Sequence, residues 1–321
     1  ILSNSTVSTT HVLDGLLGFL RRKFDEETHQ GTPAQLGTTL SRLEFLNVLT
    51  RSFNQFSERS VDDSLTSFDR LLDACVSSKS DMLAEDQNKL GQIISNLHRA
   101  TNTGNSSLES LSMYIPRFVD ILGSEKVVYE AESKIVTPSY ELIVRVDDRQ
   151  SILMSEVETS LVTVQMPSSM KTLEDGDFIV QALSIDTRDM SLNNSFSPKG
   201  NESAVYSSPI VDFRLVRNGK KVKLQDLEKP ISIVLRRDLP LDYNLTDHRI
   251  HCFYKDDIAG KEWKRKGCKL HAYDNEQIIC RCSHTTSFSS MVIYDPQAPN
   301  KASNGLHVTF IIVHSIFAIV S

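Results

Sequence analysis

The chain is 321 residues long, 40% hydrophobic and 24% charged, with a formal net charge of -6. Such a composition belongs to a folded globular protein with length for about two domains, and it excludes collagen, wholesale disorder and repeat solenoids. With 35 basic residues against 41 acidic ones there is no dense positive surface for a phosphate backbone, which excludes nucleic acid as a partner.

From the N-terminus, residues 1–122 carry apolar side chains at intervals of three and four, the period of an amphipathic helix. Val12, Leu13, Leu16, Leu17, Leu20 and Phe24 form a first stripe, and Leu40, Leu43, Phe45, Leu46 and Leu49 a second. Leu65, Phe68, Leu71 and Leu72 mark a third helix, Leu90, Ile93, Ile94 and Leu97 a fourth, and Leu108, Leu111, Ile115 and Phe118 a fifth. Gly, Pro, Ser and Asn clusters near residues 31–33 and 101–107 punctuate them. A small helical bundle is expected, with Cys75 a buried free thiol on an apolar helix face.

Beyond residue 122 the pattern changes to short β-rich runs at 140–146, 161–164, 178–182, 205–206, 210–215 and 231–235. Turn signals separate them, among them Glu174-Asp-Gly-Asp and the strong hairpin dipeptide Asn218-Gly219. Many short strands with frequent turns predict an antiparallel β-sandwich over 123–296, and together with the bundle an α+β fold. The stretch 186–208, which holds two glycosylation sequons, reads as an exposed loop.

Asn-x-Ser/Thr sequons occur at Asn4, Asn105, Asn193, Asn201 and Asn244. Cys252, Cys268, Cys280 and Cys282 cluster in an even set, which in an oxidising compartment suggests two disulfides. With His284 the same set could instead ligate zinc, since thiolate and imidazole are its preferred ligands, although the spacings are not the usual close pairs. The start, Ile1-Leu-Ser-Asn, has neither an initiator Met nor a leader pattern and reads as the interior of a longer precursor. At the other end, 297–321 is a linker followed by an apolar run at 306–320, short for a spanning helix and interrupted by His307 and His314. It reads as the start of a first transmembrane helix, a glycolipid-anchor signal or a buried strand, and the first two make the membrane a partner.

The densest chemistry lies at 250–295. There stand His251-Cys252-Phe253-Tyr254, the only tryptophan at Trp263, Gly267-Cys268, and Cys280-Arg-Cys282-Ser-His284-Thr285-Thr286-Ser-Phe288. Cys280 and Cys282 at i, i+2 share one face of a strand, from which they can bridge neighbouring strands. Continuing that alternation places His284 beside Thr286. A hydroxyl is a weak nucleophile, and a histidine of near-neutral pKa can accept its proton. The peptide that the Thr286 hydroxyl reaches most easily is its own, to Thr285. Attack there gives an ester by an N-to-O shift, and water then cleaves it.

Trp263 reads as core packing beside the cysteines, and His251 and His271 as ordinary histidines. The basic run 261–266 reads as a solvated hairpin rather than a contact for acidic glycans. Asp147-Asp148 and Asp256-Asp257 lack the spacing of an acid/base pair or a calcium loop, and no Gly-rich phosphate loop exists. Neither a cofactor nor an external substrate is therefore expected.

The order Cys-Phe-aromatic, Trp, Gly-Cys and Cys-x-Cys-x-His-x-Thr-x-Phe closely resembles the proteolysis-site (GPS) motif that ends the autoproteolysis-inducing (GAIN) domain of adhesion G-protein-coupled receptors. Polycystin-like proteins share this motif. A helical subdomain followed by a sandwich ending in the motif resembles that family over most of the chain. The resemblance implies His284 as base, Thr285–Thr286 as the scissile bond, Thr286 as nucleophile, and disulfides Cys252–Cys280 and Cys268–Cys282. It implies a cell-surface protein whose fragments stay together noncovalently, with Thr286, Ser287, Phe288, Met291 and Val292 in a buried tethered-agonist strand. The partners it implies are the chain's own C-terminal fragment, a seven-helix region outside this chain, and an extracellular protein or glycan ligand left unidentified. Thr285 stands where Leu is commonest in the family and Tyr254 where Trp is common, and the β-branched Thr285 bears on the rate. The alternative is a cleavage-deficient, membrane-anchored or truncated form that serves as an adhesion module.

Overall fold

The computed structural model describes residues 8–30, 36–77, 82–101, 106–123, 126, 128, 130–168, 170, 173–188, 203–238, 250–258 and 262–294. Five helices come first: α1 (Thr9–Gln30), α2 (Leu36–Thr50), α3 (Glu58–Ser77), α4 (Ala84–Ala100) and α5 (Ser106–Gly123). Leu17, Leu43, Leu46, Phe68, Leu71 and Leu90 are fully buried among them, and Phe68 meets Tyr114 edge-on with ring centroids 4.9 Å apart. On α1 the residues that reach the core are Leu13, Leu17, Leu20 and Phe24. Val12 and Leu16, expected in the same stripe, fall on its flank and are 47% and 37% exposed, as is Phe45 on α2 at 37%. A helix presents only about three positions per two turns to its neighbours, so a wider stripe leaves its margins in solvent. Cys75 is a buried free thiol, and burial pushes its pKa up to about 12.

Among the described residues after α5 the regular elements are antiparallel strands and one short helix. In order they are β1 (Ser133–Val136), β2 (Tyr140–Asp148), a short helix α6 (Arg149–Met154), β3 (Glu156–Glu158), β4 (Val162–Gln165), β5 (Asp177–Ile185) and β6 (Ser203–Tyr206). Then follow β7 (Ile210–Arg217), β8 (Lys220–Val222), β9 (Ile231–Arg236), β10 (Ile250–Lys255), β11 (Cys268–Tyr273), β12 (Gln277–Cys282) and β13 (Ser287–Tyr294). One sheet runs β1-β2-β5-β7-β13-β10, with β6 paired to β13 and β8 to β7; the other runs β11-β12-β9-β4-β3. Asn218 and Gly219 take φ of 51° and 70°, the paired left-handed conformations that a tight hairpin between β7 and β8 demands. The sequence pattern missed β1, β3 and α6, which are too short to show a period. The Asp148 side chain caps α6 by accepting from the Ser151 N–H at 2.7 Å.

The stretch 186–208 is no exposed loop at its ends. Thr187, Ser207 and Ser208 are buried, and β6 lies within it, because the small serine side chains pair across the sheet, Ser207 Oγ to Ser290 Oγ at 2.7 Å.

Phe178, Val211, Phe213, Ile231, Ile233 and Phe288 fill the space between the sheets. The opposite face of the first sheet carries Tyr140, Leu142, Leu183, Phe253 and Met291, which join the helical core. The Tyr140 hydroxyl donates to the Gly91 carbonyl on α4 at 2.8 Å, tying sheet to bundle. The first sheet is thus covered on both faces, and β13 runs through its interior. The asparagines of all five sequons and the apolar run at 306–320 lie outside the described residues. Among the described residues no helix is long and apolar enough to cross a membrane.

Candidate functional site

The site forms where the chain changes sheets. β12 ends at Cys282 in one sheet and β13 begins at Ser287 in the other, so 283–286 must cross the sandwich. This corrects the expectation that strand alternation continues through His284 and Thr286: the backbone bends at Ser283, His284 and Thr286. A crossing segment loses its ladder and needs other partners for its backbone groups. Here the Ser283 N–H donates to the Gly267 carbonyl at 2.9 Å and the Thr285 N–H to the Leu224 carbonyl at 3.1 Å. The Ser283 carbonyl accepts from Leu227 at 2.9 Å, and the Thr286 carbonyl from Phe213 at 3.1 Å.

Two disulfides anchor the approach. Cys268–Cys282 joins the directly opposed positions of β11 and β12, whereas Cys252–Cys280 joins β10 of the first sheet to β12 of the second. Cys280 and Cys282 do share the buried face of β12, but only one of their bridges links neighbouring strands; the other spans the sandwich. With all four sulfurs in disulfides no thiolate remains for zinc.

The His284 imidazole packs between two rings, with centroids 4.0 Å from Tyr254 and 5.7 Å from Phe288, the latter nearly parallel at 11°. Burial lowers its pKa below the ordinary 6.5, partly opposed by Asp256, so the ring is neutral at pH 7. Its Nε2 faces Cys268 Sγ at 4.0 Å, and Nδ1 has no hydrogen-bond partner among the described residues. Gly267 permits this seat: it has φ of 92°, and a Cβ there would stand 3.2 Å from ring atoms Cδ2 and Nε2.

Thr285 and Thr286 are buried at 5% and 4% exposure. The Thr285 hydroxyl accepts from the Leu224 N–H at 3.3 Å, and the Thr286 hydroxyl donates to the Lys255 carbonyl on β10. His284 and Thr286 are therefore neighbours in sequence that share no hydrogen bond in this arrangement. A cleft of about 570 Å³ opens on the crossing and is lined by His284, Thr285 and Thr286.

Downstream, Phe288 and Val292 point into the sandwich core and Met291 into the helix-facing core, each no more than 1% exposed. Side chains of this kind contribute roughly 1.5–3 kcal/mol each when fully buried. The Ser287 hydroxyl donates to Asp212 Oδ1 at 2.7 Å, and Asp212 is balanced by Arg214 at 2.5 Å. Asp212 escaped the sequence reading, although an Asp-x-Arg pair within an apolar strand run signals a buried ion pair. Lys255 and the ring contacts of Tyr254 escaped it too, and no local pattern announces them. Lys255 is buried with Nζ 4.7 Å from the centroid of Trp263, and burial pushes its pKa down to about 8. Trp263 is core packing as expected, donating to the Tyr206 hydroxyl at 3.2 Å.

Residues 126–296 match the GPS family model, described as GAIN subdomain B. Among solved structures, the chain is similar to one titled the full extracellular region of zebrafish Gpr126/Adgrg6, with a TM-score of 0.51 at 13% identity. That match covers 79% of this chain and 35% of the other, so this chain spans about a third of its length. At such identity the likeness speaks for the fold alone, whereas the family model takes in more than half of the chain and ends just past β13. On that ground the chain belongs to the GAIN/GPS family.

Proposed function

We propose that this domain cuts its own chain once, between Thr285 and Thr286. The carrying observation is the neutral imidazole of His284, clamped between two rings in the sheet-crossing turn and two residues before a buried threonine hydroxyl. Rotation about the Thr286 side chain releases its hydroxyl from the Lys255 carbonyl. His284 takes the hydroxyl proton as Oγ1 bonds to the Thr285 carbonyl carbon. Collapse of the tetrahedral centre breaks the C–N bond, the departing nitrogen takes up a proton, and an ester joins Thr285 to Thr286 Oγ1. Water entering from the cleft hydrolyses the ester, leaving a carboxylate on Thr285 and a free amine and hydroxyl on Thr286.

The products stay together because β13 is paired on both sides, to β10 along 287–292 and to β7 and β6 on the other edge. In this reading Thr286, Ser287, Phe288, Met291 and Val292 form a strand that is masked while bound and acts as a tethered agonist when withdrawn. It places the protein at the cell surface, with its own C-terminal fragment as partner.

A second reading is a cleavage-deficient adhesion module, and one observation favours it: the Thr286 hydroxyl is engaged by Lys255 rather than by His284. Intact-mass measurement after denaturation, with N-terminal sequencing of any small fragment, separates the two. A fragment beginning at Thr286, absent from Thr286→Ala, supports self-cleavage. Fragment yield unchanged in Thr286→Ala rules it out, and an uncut folded chain supports the adhesion module.

A further inference from the structure

Within the described residues 262–266 the basic side chains are exposed but turn to different surroundings. Lys264 pairs with Asp256, while Arg265 donates to His251 Nδ1 at 2.9 Å and lies 5.9 Å from the Phe253 centroid. Lys266 instead lines the cleft beside the crossing, where it meets Lys221 from β8 and Lys223 just beyond it. Two hairpins far apart in sequence thus bring three ammonium groups to one wall. Lys221 is half-buried and donates to the Asp256 carbonyl at 3.3 Å, and burial pushes its pKa down, opposed by Asp212 and Asp257. Two carboxylates line the cleft, Asp226 and Asp256, and Lys264 already takes the charge of Asp256. Among the residues that line the cleft the three lysines therefore outnumber the two carboxylates, while Asp212 and Asp257 act on Lys221 from outside the lining.

We infer that this cleft binds the sulfate group of an acidic glycan, with Lys221, Lys223 and Lys266 on the sulfate and Gln225 and Ser283 on the sugar hydroxyls. The volume argues for a sugar unit: about 570 Å³ exceeds what a bare oxyanion fills and lies within the roughly 300–1,000 Å³ of small-molecule sites. The polar lining argues the same way, since hydroxyl and amide groups suit a saccharide and not an apolar ligand. The binding does not depend on self-cleavage. Where the proposed cleavage operates, a sulfate beside His284 favours the protonated ring and slows the reaction.

Calorimetric titration of the disulfide-bonded chain at low salt, with a defined sulfated disaccharide and with inorganic sulfate, tests the site. The disaccharide is expected to bind, and Lys223→Ser with Lys266→Ser to weaken it by about tenfold or more, since both lysines are exposed and line the cleft. Lys269→Ser, exposed on β11 and outside the cleft, is expected to stay within about twofold. No disaccharide binding, or equal binding by the double variant, overturns the site. Displacement of the disaccharide by inorganic sulfate at equal concentration overturns the glycan and assigns the site to the free anion. The titration reads binding whether or not the chain is cut, so failure here leaves the cleavage reading standing, and failure of cleavage leaves this one.

Discussion

The helical bundle and the crossing between β12 and β13 are held by different kinds of force. The bundle core is leucine, isoleucine and phenylalanine, whose attraction is non-directional and follows the area taken from water. At the crossing, hydrogen bonds with Leu224, Leu227, Gly267 and Phe213 direct the backbone, and disulfides and two rings hold the side chains. Burial stabilises without specifying direction; directed bonds specify position at the cost of burying polar groups. Asp212, Lys255 and Ser287 are such groups, buried close to Thr286.

That contrast makes mutations in the two regions separable. The largest effect is expected from His284→Ser, which should slow fragment formation by about 10²–10⁴-fold while leaving the unfolding midpoint nearly unchanged. In the wild type, the lowered His284 pKa keeps the base neutral, so the rate should hold flat from alkaline pH down to its ordinary 6.5 and fall only below it. A rate already falling well above that pH in quench-and-gel time courses would contradict the neutral-base assignment.

Phe68→Ala empties a bundle site and should cost about 3–5 kcal/mol in urea unfolding. The molecules that remain folded should still cut at the wild-type rate. Equal loss of cleavage in that folded fraction would break the separation between the regions. Replacing both Cys268 and Cys282 by Ser opens a loop of 14 residues, worth about 3 kcal/mol, and removes the sulfur beside the imidazole. Both stability and cleavage should fall, as measured by urea midpoint and fragment yield.

The smallest effect is expected from Lys255→Met, which leaves the carbonyl that Thr286 uses and relieves a buried charge. It should stabilise by about 1 kcal/mol at pH 7. In the folded wild type this lysine titrates near 8, below the unfolded 10.5, so the unfolded chain binds more protons between those values and stability rises with pH there. The variant should lack that rise in thermal melts across the window.

Much of the fold was legible because its signals are local. Leu13, Leu17, Leu20 and Phe24 repeat at helical spacing, and Asn218-Gly219 declares its own hairpin. What failed was extrapolation along the chain. Extending the strand period past Cys282 put His284 and Thr286 on one face, but the segment leaves its sheet there and the threonine turns to Lys255. Val12 and Leu16 failed for a similar reason, since a stripe reports an apolar side without saying how much of it a neighbour covers.

By itself the sequence determined the α+β class, the order of helices before strands, the clustering of four cysteines and the His-x-Thr spacing, all of which rest on residue type and near spacing. Tertiary structure decided that one disulfide spans the sheets, that Tyr254 and Phe288 clamp His284, and that Lys221, Lys223 and Lys266 share a cleft. Those contacts join residues from different elements, and no periodicity within a single element encodes which partner the opposite one presents.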